Sequence, residues 1–271
     1  MSHTKVEAAR GVKWIGEGAQ LALKNPAAFA VMGLIIGVIG IIPILGGLAL
    51  LVLAPALYGG IVYAAREQQQ GRKAEIGHLF QAFQTEGRLP QMVLLCLPLI
   101  GGYIVAGIIA AILLGGALLS AGVASAADSE GMLRALMGAG SVVLLFALVL
   151  VIAIMLLVWA LIFFAIPKLI LQGGEAFAAM KLSFAAAKAN IGAYLIFVVL
   201  VAVAYGVVAW LFAQISPWFA GLAASVVVLP VACCGMYLAW RDVFGAGETV
   251  ELPVMGTSPE PAPPPSEPPA E

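Results

Sequence analysis

From Ala27 to Ala65 the chain is continuously apolar, about twice the ~20 residues that a helix needs to cross the hydrocarbon core of a bilayer. A run of that length folds as two spans joined by a turn. Pro43-Ile44-Leu45-Gly46-Gly47 supplies the break near its middle, because proline and glycine end helices and close tight connections. The same reading places spans near 27–43 and 47–65, then at 91–119, 140–166, 192–214 and 218–240, the last two parted by Ser216-Pro217. Composition agrees: the chain is 63% hydrophobic and 10% charged, against ~25% charged residues in soluble domains. In lipid each spanning backbone must satisfy its own hydrogen bonds, so six such runs predict an all-α polytopic bundle.

Charge placement then predicts an orientation. Twelve of the thirteen lysines and arginines fall on one side. Lys5, Arg10, Lys13 and Lys24 precede the first span; Arg66, Arg72, Lys73 and Arg88 join the second to the third; Lys168, Lys181 and Lys188 join the fourth to the fifth; Arg241 follows the sixth. Only Arg134 lies opposite, in a loop with Asp128 and Glu130 where Met132, Leu133, Leu136 and Met137 could form a short interfacial helix. The positive-inside rule puts both termini in the cytoplasm.

The connections on the basic side carry helical periodicity of their own. Ile76, Leu79, Phe80 and Phe83 recur at one helix face, as do Phe177, Met180, Phe184 and Ile191, the latter flanked by Lys181 and Lys188. Trp14, Ile15, Gly18, Ala19, Leu21 and Ala22 repeat the pattern before the first span. Three amphipathic helices on the cytoplasmic surface are therefore expected, giving surface helix, span, span, three times over. Leu23-Lys24-Asn25-Pro26-Ala27-Ala28-Phe29 matches Lys188-Ala189-Asn190-Ile191-Gly192-Ala193-Tyr194 where the spans begin. Where they end, Pro55, Gly60 and Arg66-Glu67 match Pro230, Gly235 and Arg241-Asp242 at equal spacing, while the middle unit keeps only Pro167.

Three regions follow: a cytoplasmic N-terminal helix over 1–26, a membrane domain over 27–244, and a tail over 245–271. From Pro253 onward the tail holds eight prolines with Glu260, Glu267 and Glu271, too little apolar side chain to offset the entropy of ordering.

Gly11-x-x-Trp14, Pro26, Pro55, Phe80 with Phe83, the run from Ser183 through Asn190 to Gly192, and Tyr237-x-x-x-Arg241-Asp242-Val243-Phe244 form a set. Over residues 10–244 that set resembles a family of proteobacterial inner-membrane proteins of unknown function, the BPSS-type family. It is more distantly similar to the membrane domain of glycerophosphoryl diester phosphodiesterases. The family's Phe-Ala-Pro is lengthened here to Phe164-Ala165-Ile166-Pro167. The resemblance implies a helical multi-pass inner-membrane protein and supplies no catalytic residues.

The residues themselves point away from catalysis. Cys96, Cys233 and Cys234 sit in apolar surroundings as small hydrophobes, and neighbouring Cys233 and Cys234 fall ~100° apart around a helix. His3 and His78 have no carboxylate or cysteine cluster beside them, so no metal, cofactor or diesterase site is expected. No basic stripe suits nucleic acid, and no charge sits at a span centre as in ion-coupled transport. Small residues spaced by four, such as Gly33 and Gly37, Gly102, Ala106 and Ala110, and Ala202 and Gly206, suit close helix packing within the bundle or between copies. Membrane lipids are the expected partners, with other membrane proteins or a second copy as further ones. Arg66, Arg241, Asp242, Lys181 and Lys188 are the candidate headgroup or interface contacts. Each arginine-acid pair docks onto a surface helix, captures lipid phosphate, or simply anchors the end of its span. A non-enzymatic membrane scaffold or lipid-interacting protein is the leading expectation, and a facilitator or flippase-type transporter the alternative.

Overall fold

The structure is a computed structural model that describes residues 4–120, 130–131 and 140–245. Among them every regular element is helical: α1 (Arg10–Leu23), α2 (Pro26–Ile41), α3 (Leu45–Gln69), a 3-10 turn (Ile76–Phe80) running into α4 (Gln81–Gln84), α5 (Arg88–Leu94), α6 (Cys96–Ser120), α7 (Gly140–Ile162), α8 (Ala165–Gln172), α9 (Ala176–Ala189), α10 (Ile191–Ala213) and α11 (Pro217–Phe244). The expected interfacial helix around Met132–Met137 and the tail beyond Gly245 lie outside the described residues. Among the described residues five stretches are long and apolar enough to cross a membrane, and six if α1 and α2, bent by 106° at Lys24-Asn25, count as one. The 16 residues of α2 reach only ~24 Å by themselves.

Helix boundaries follow local chemistry. Pro26 and Pro217 open α2 and α11 at a position whose N–H has no helical partner to lose. Between α2 and α3 the backbone turns at Ile44, which takes φ 60°, and Leu45 N–H donates to Pro43 O over 2.6 Å. Gly46 and Gly47, expected in that turn, begin α3 instead. Gly46 faces the Ile39 carbonyl so closely that a Cβ would not fit, so its role is the approach of two helices. Pro55 and Pro230 sit inside α3 and α11.

The buried core draws on α1, α3, the 3-10 turn, α5 and the junction of α7 with α8. Trp14, Ile61, Leu79, Met92, Phe163, Phe164 and Ile166 are all fully buried there. The Phe163 ring packs edge-on against Phe164, Tyr194 and Phe197 with centroids 4.7, 5.5 and 5.4 Å away. Outer α7 and α10 are the reverse: Phe146, Leu148, Val203, Trp210 and Leu211 are exposed. Apolar surface on that scale is costly in water and ordinary against lipid, which suggests a membrane-spanning protein.

The three connections expected as surface helices differ from one another. α1 is docked: Gly18 abuts the Gly235 backbone of α11, and a Cβ on Gly235 would lie 2.8 Å from the Trp14 carbonyl. Residues 72–88 do not form one helix. Ala74, Leu79, Ala82 and Arg88 are buried there, while Ile76, Phe80 and Phe83 point outward. The Leu79 backbone is pressed onto Gly60 of α3, where any side chain would collide with it, and that long-range contact holds the segment in a tighter 3-10 turn. α9 is a regular helix, yet its buried face is Ala176, Ala179, Met180, Ser183, Ala186 and Ala187. Of the expected stripe only Met180 turns inward; Phe177, Phe184 and Ile191 are exposed. Among the expected small-residue pairs, Gly33 and Gly37 meet Ser225 and Leu222 of α11, and Gly102 meets Val158 of α7, whereas Gly206 faces open space.

Candidate functional site

Two carboxylates organise the polar end of the bundle. Glu67, near the end of α3, is buried and accepts from Arg66 Nη2 and Arg72 Nη2, each at 2.9 Å, with Arg72 Nε as a further donor. Arg66 also lies over the Tyr63 ring, its Cζ 4.5 Å from the centroid. A buried carboxylate between two guanidinia has its charge answered by hydrogen bonds rather than by water. The same pairing raises the Arg72 guanidinium above its ordinary basicity.

Asp242, near the end of α11, plays the corresponding part for α1. Its Oδ2 accepts from Arg10 Nε at 2.8 Å, from Arg10 Nη2 and from the Trp14 indole N–H at 2.9 Å. Arg10 in turn reaches Glu17 at 3.0 Å. Neighbouring Arg241 is left with one long contact to Asp242 Oδ1, 3.7 Å. The two arginine-acid pairs read as alike in sequence are therefore unlike in partners. Arg66 is held by Glu67 and Tyr63, whereas Arg241 is only loosely paired and 29% exposed. In both pairs it is the acid that secures the surface segment.

Lys181 and Lys188 lie elsewhere, on the outward face of α9 with Phe177 and Phe184, and Ile191 opens α10 beside them in the chain. The opposite face is fixed by Ser183, whose hydroxyl donates to Ala160 O at 2.7 Å and accepts from Phe164 N–H at 2.9 Å. Those two groups flank the break between α7 and α8, where the helical ladder lapses.

Several polar contacts escaped the sequence reading because their partners are remote in the chain. Asn25 Nδ2 donates to Ala74 O at 2.7 Å, Gln91 Oε1 accepts from Ala176 N–H at 2.8 Å, and Asn190 Oδ1 accepts from Val6 N–H at 2.7 Å. Asn25 and Asn190 were visible as matching positions; what they bind was not. Buried Arg88 donates to the Leu169 carbonyl and rests on Gly173, so its charge meets the negative end of α8.

Cys96, Cys233 and Cys234 are buried and unpaired. Among the described residues no three metal-binding side chains come together. A groove of about 600 Å³ is apolar and runs along α3 past Pro55 and Tyr58 to Tyr103, Trp159 and Ile166. Comparison with protein families, with curated proteins and with solved structures finds no match.

Proposed function

We propose that this is a six-span bacterial inner-membrane protein with both termini in the cytoplasm, acting without catalysis as a lipid-interacting scaffold. The observation that carries this reading is the outward face of α9. Phe177, Lys181, Phe184 and Lys188 follow one another at spacings of four, three and four, all exposed, on the side opposite the docked alanines, with exposed Ile191 next at the start of α10. Aromatic and aliphatic groups alternating with lysines suit the boundary between acyl chains and anionic headgroups, where lysine stems lie in the apolar layer and ammonium groups reach phosphate.

We read the bundle as three units in a closed ring, within the BPSS-type resemblance set out above. Support comes from the amides at the unit starts. Asn25 of the first unit holds the segment leading into the second, Gln91 of the second holds the start of α9 in the third, and Asn190 of the third holds Val6 ahead of α1. The Gly60–Leu79 and Gly235–Trp14 crossings run in the same cyclic sense. Such a ring gives the scaffold three surface segments around one end of the bundle.

A facilitator for lipids is the second reading, favoured by the apolar groove beside Pro55, where Tyr58 and Tyr103 add phenol groups. Retention of phosphatidylglycerol during transfer into native mass spectrometry separates the readings. Lys181→Gln with Lys188→Gln should lower retention at least several-fold if α9 is the contact. Unchanged retention would remove the scaffold reading, and lipid scrambling by reconstituted protein would install the facilitator in its place.

A further inference from the structure

Between α1, the end of α3 and the end of α11 lies a polar cleft of about 230 Å³ lined by Glu17, Gln20, Lys24, Gln69 and Arg241, with two leucines completing its wall. Both acids nearby are already engaged: Glu17 accepts two hydrogen bonds from Arg10, at 3.0 and 3.4 Å, and Asp242 accepts from Arg10 and Trp14. Arg241 keeps only its 3.7 Å contact. Lys24 forms no ion pair among the described residues, and the side chains of Gln20 and Gln69 make no hydrogen bond there. One forked guanidinium, one ammonium and two amides thus line one cleft with free donors.

That donor set is the chemistry of phosphate recognition. A guanidinium grips two phosphate oxygens at once, a lysine adds a point charge, and amide N–H groups take the remaining lone pairs. The size agrees, since 230 Å³ is below the ~300–1,000 Å³ of pockets that enclose whole drug-sized ligands. A phosphate headgroup fits. The amide carbonyls of Gln20 and Gln69 can accept from hydroxyls, which favours a phosphate bearing a small polyol.

We propose that this cleft binds a phosphate group bearing a small polyol, carried by a glycerophospholipid or by free glycerol phosphate. The proposal deepens the lipid-interacting reading and rests on it for the lipid source. It also gives Arg241 a use that Arg66, fixed between Glu67 and Tyr63, cannot share.

The test uses full-length protein in phosphatidylcholine nanodiscs, titrated with glycerol 3-phosphate by calorimetry, beside native mass spectrometry after reconstitution with phosphatidylglycerol. Lys24→Gln alters an exposed side chain and leaves the fold intact; Arg241→Gln removes the fork, and Arg241→Lys restores its charge alone. Each glutamine variant should weaken binding about tenfold, with Arg241→Lys in between. Binding of glycerol 3-phosphate alone assigns the cleft to a soluble phosphate, and phosphatidylglycerol retention alone that falls in the Lys24→Gln and Arg241→Gln variants assigns it to lipid. Lys24→Gln and Arg241→Gln both binding like wild type would overturn the site while leaving α9's lipid contact standing. Wild-type protein holding neither probe would overturn the site as well.

Discussion

Removing the Asp242 carboxylate measures how firmly α1 is held to the bundle. Trp14 is fully buried and its indole N–H donates to Asp242 Oδ2 at 2.9 Å. Stranding that donor costs about 1–3 kcal/mol. Arg10 is 26% exposed and keeps Glu17 at 3.0 Å, so its loss of Asp242 resembles that of a partly solvated pair, under ~1 kcal/mol. Asp242→Ala should therefore destabilise by about 1–4 kcal/mol, a fall in Tm of about 2–16 °C for a chain of this size. Asp242→Asn leaves an acceptor for the indole and should lose about half as much. Thermal unfolding in nanodiscs, followed by tryptophan fluorescence, gives the magnitude, and trypsin cleavage at Arg10 and Lys13 reports whether α1 has lifted. An alanine variant that melts with wild type and protects both sites would refute the reasoning that Asp242 secures α1.

Gly60→Ala should destabilise by about 1–3 kcal/mol, because its Cβ would meet the Leu79 backbone; Gly47→Ala, with open space around it, should be neutral or slightly stabilising in the same melts. Ser183→Ala leaves the Phe164 N–H and Ala160 carbonyl without their hydroxyl and should cost about 1–3 kcal/mol, visible as faster hydrogen exchange at the α7–α8 break. For orientation, a cysteine at Ile44, the exposed turn between α2 and α3, should react with an impermeant maleimide added to the periplasmic side, and one at exposed Gln70 should not; the reverse labelling would invert the bundle.

Much of the long-helix pattern was legible because span length and proline or glycine breaks are local properties. The turn after Ile41, the start at Pro217 and the matched spacing of Gly60 and Gly235 were all readable. The reason for that spacing was not, since it depends on Leu79 and Trp14 crossing from other parts of the chain. Residues 76–83 show the limit most clearly. Their periodicity fits a helix, but Asn25 holds Ala74 and Gly60 holds Leu79, so tertiary contacts, with Gly77 lowering helical propensity, give a 3-10 turn. On α9 the helix was legible and its facing was not. Apolar periodicity marks Phe177 and Phe184, whereas small alanines and Ser183 make the buried contact. In a bilayer both faces can be apolar, and close packing selects the smaller residues. For the candidate site, Arg241 was legible as a polar terminus; its cleft with Lys24, Gln20 and Gln69 needed three elements to converge.

The depth of α9 tests the central claim most directly. A nitroxide at Phe184→Cys in the reconstituted protein, collided with dissolved oxygen and with a water-soluble nickel chelate, should report a position at the headgroup boundary. It should move shallower when Lys181 and Lys188 are both glutamine. Nickel accessibility equal to that of a free aqueous helix, unaffected by those substitutions, would contradict a lipid-facing α9 and with it the lipid-interacting scaffold.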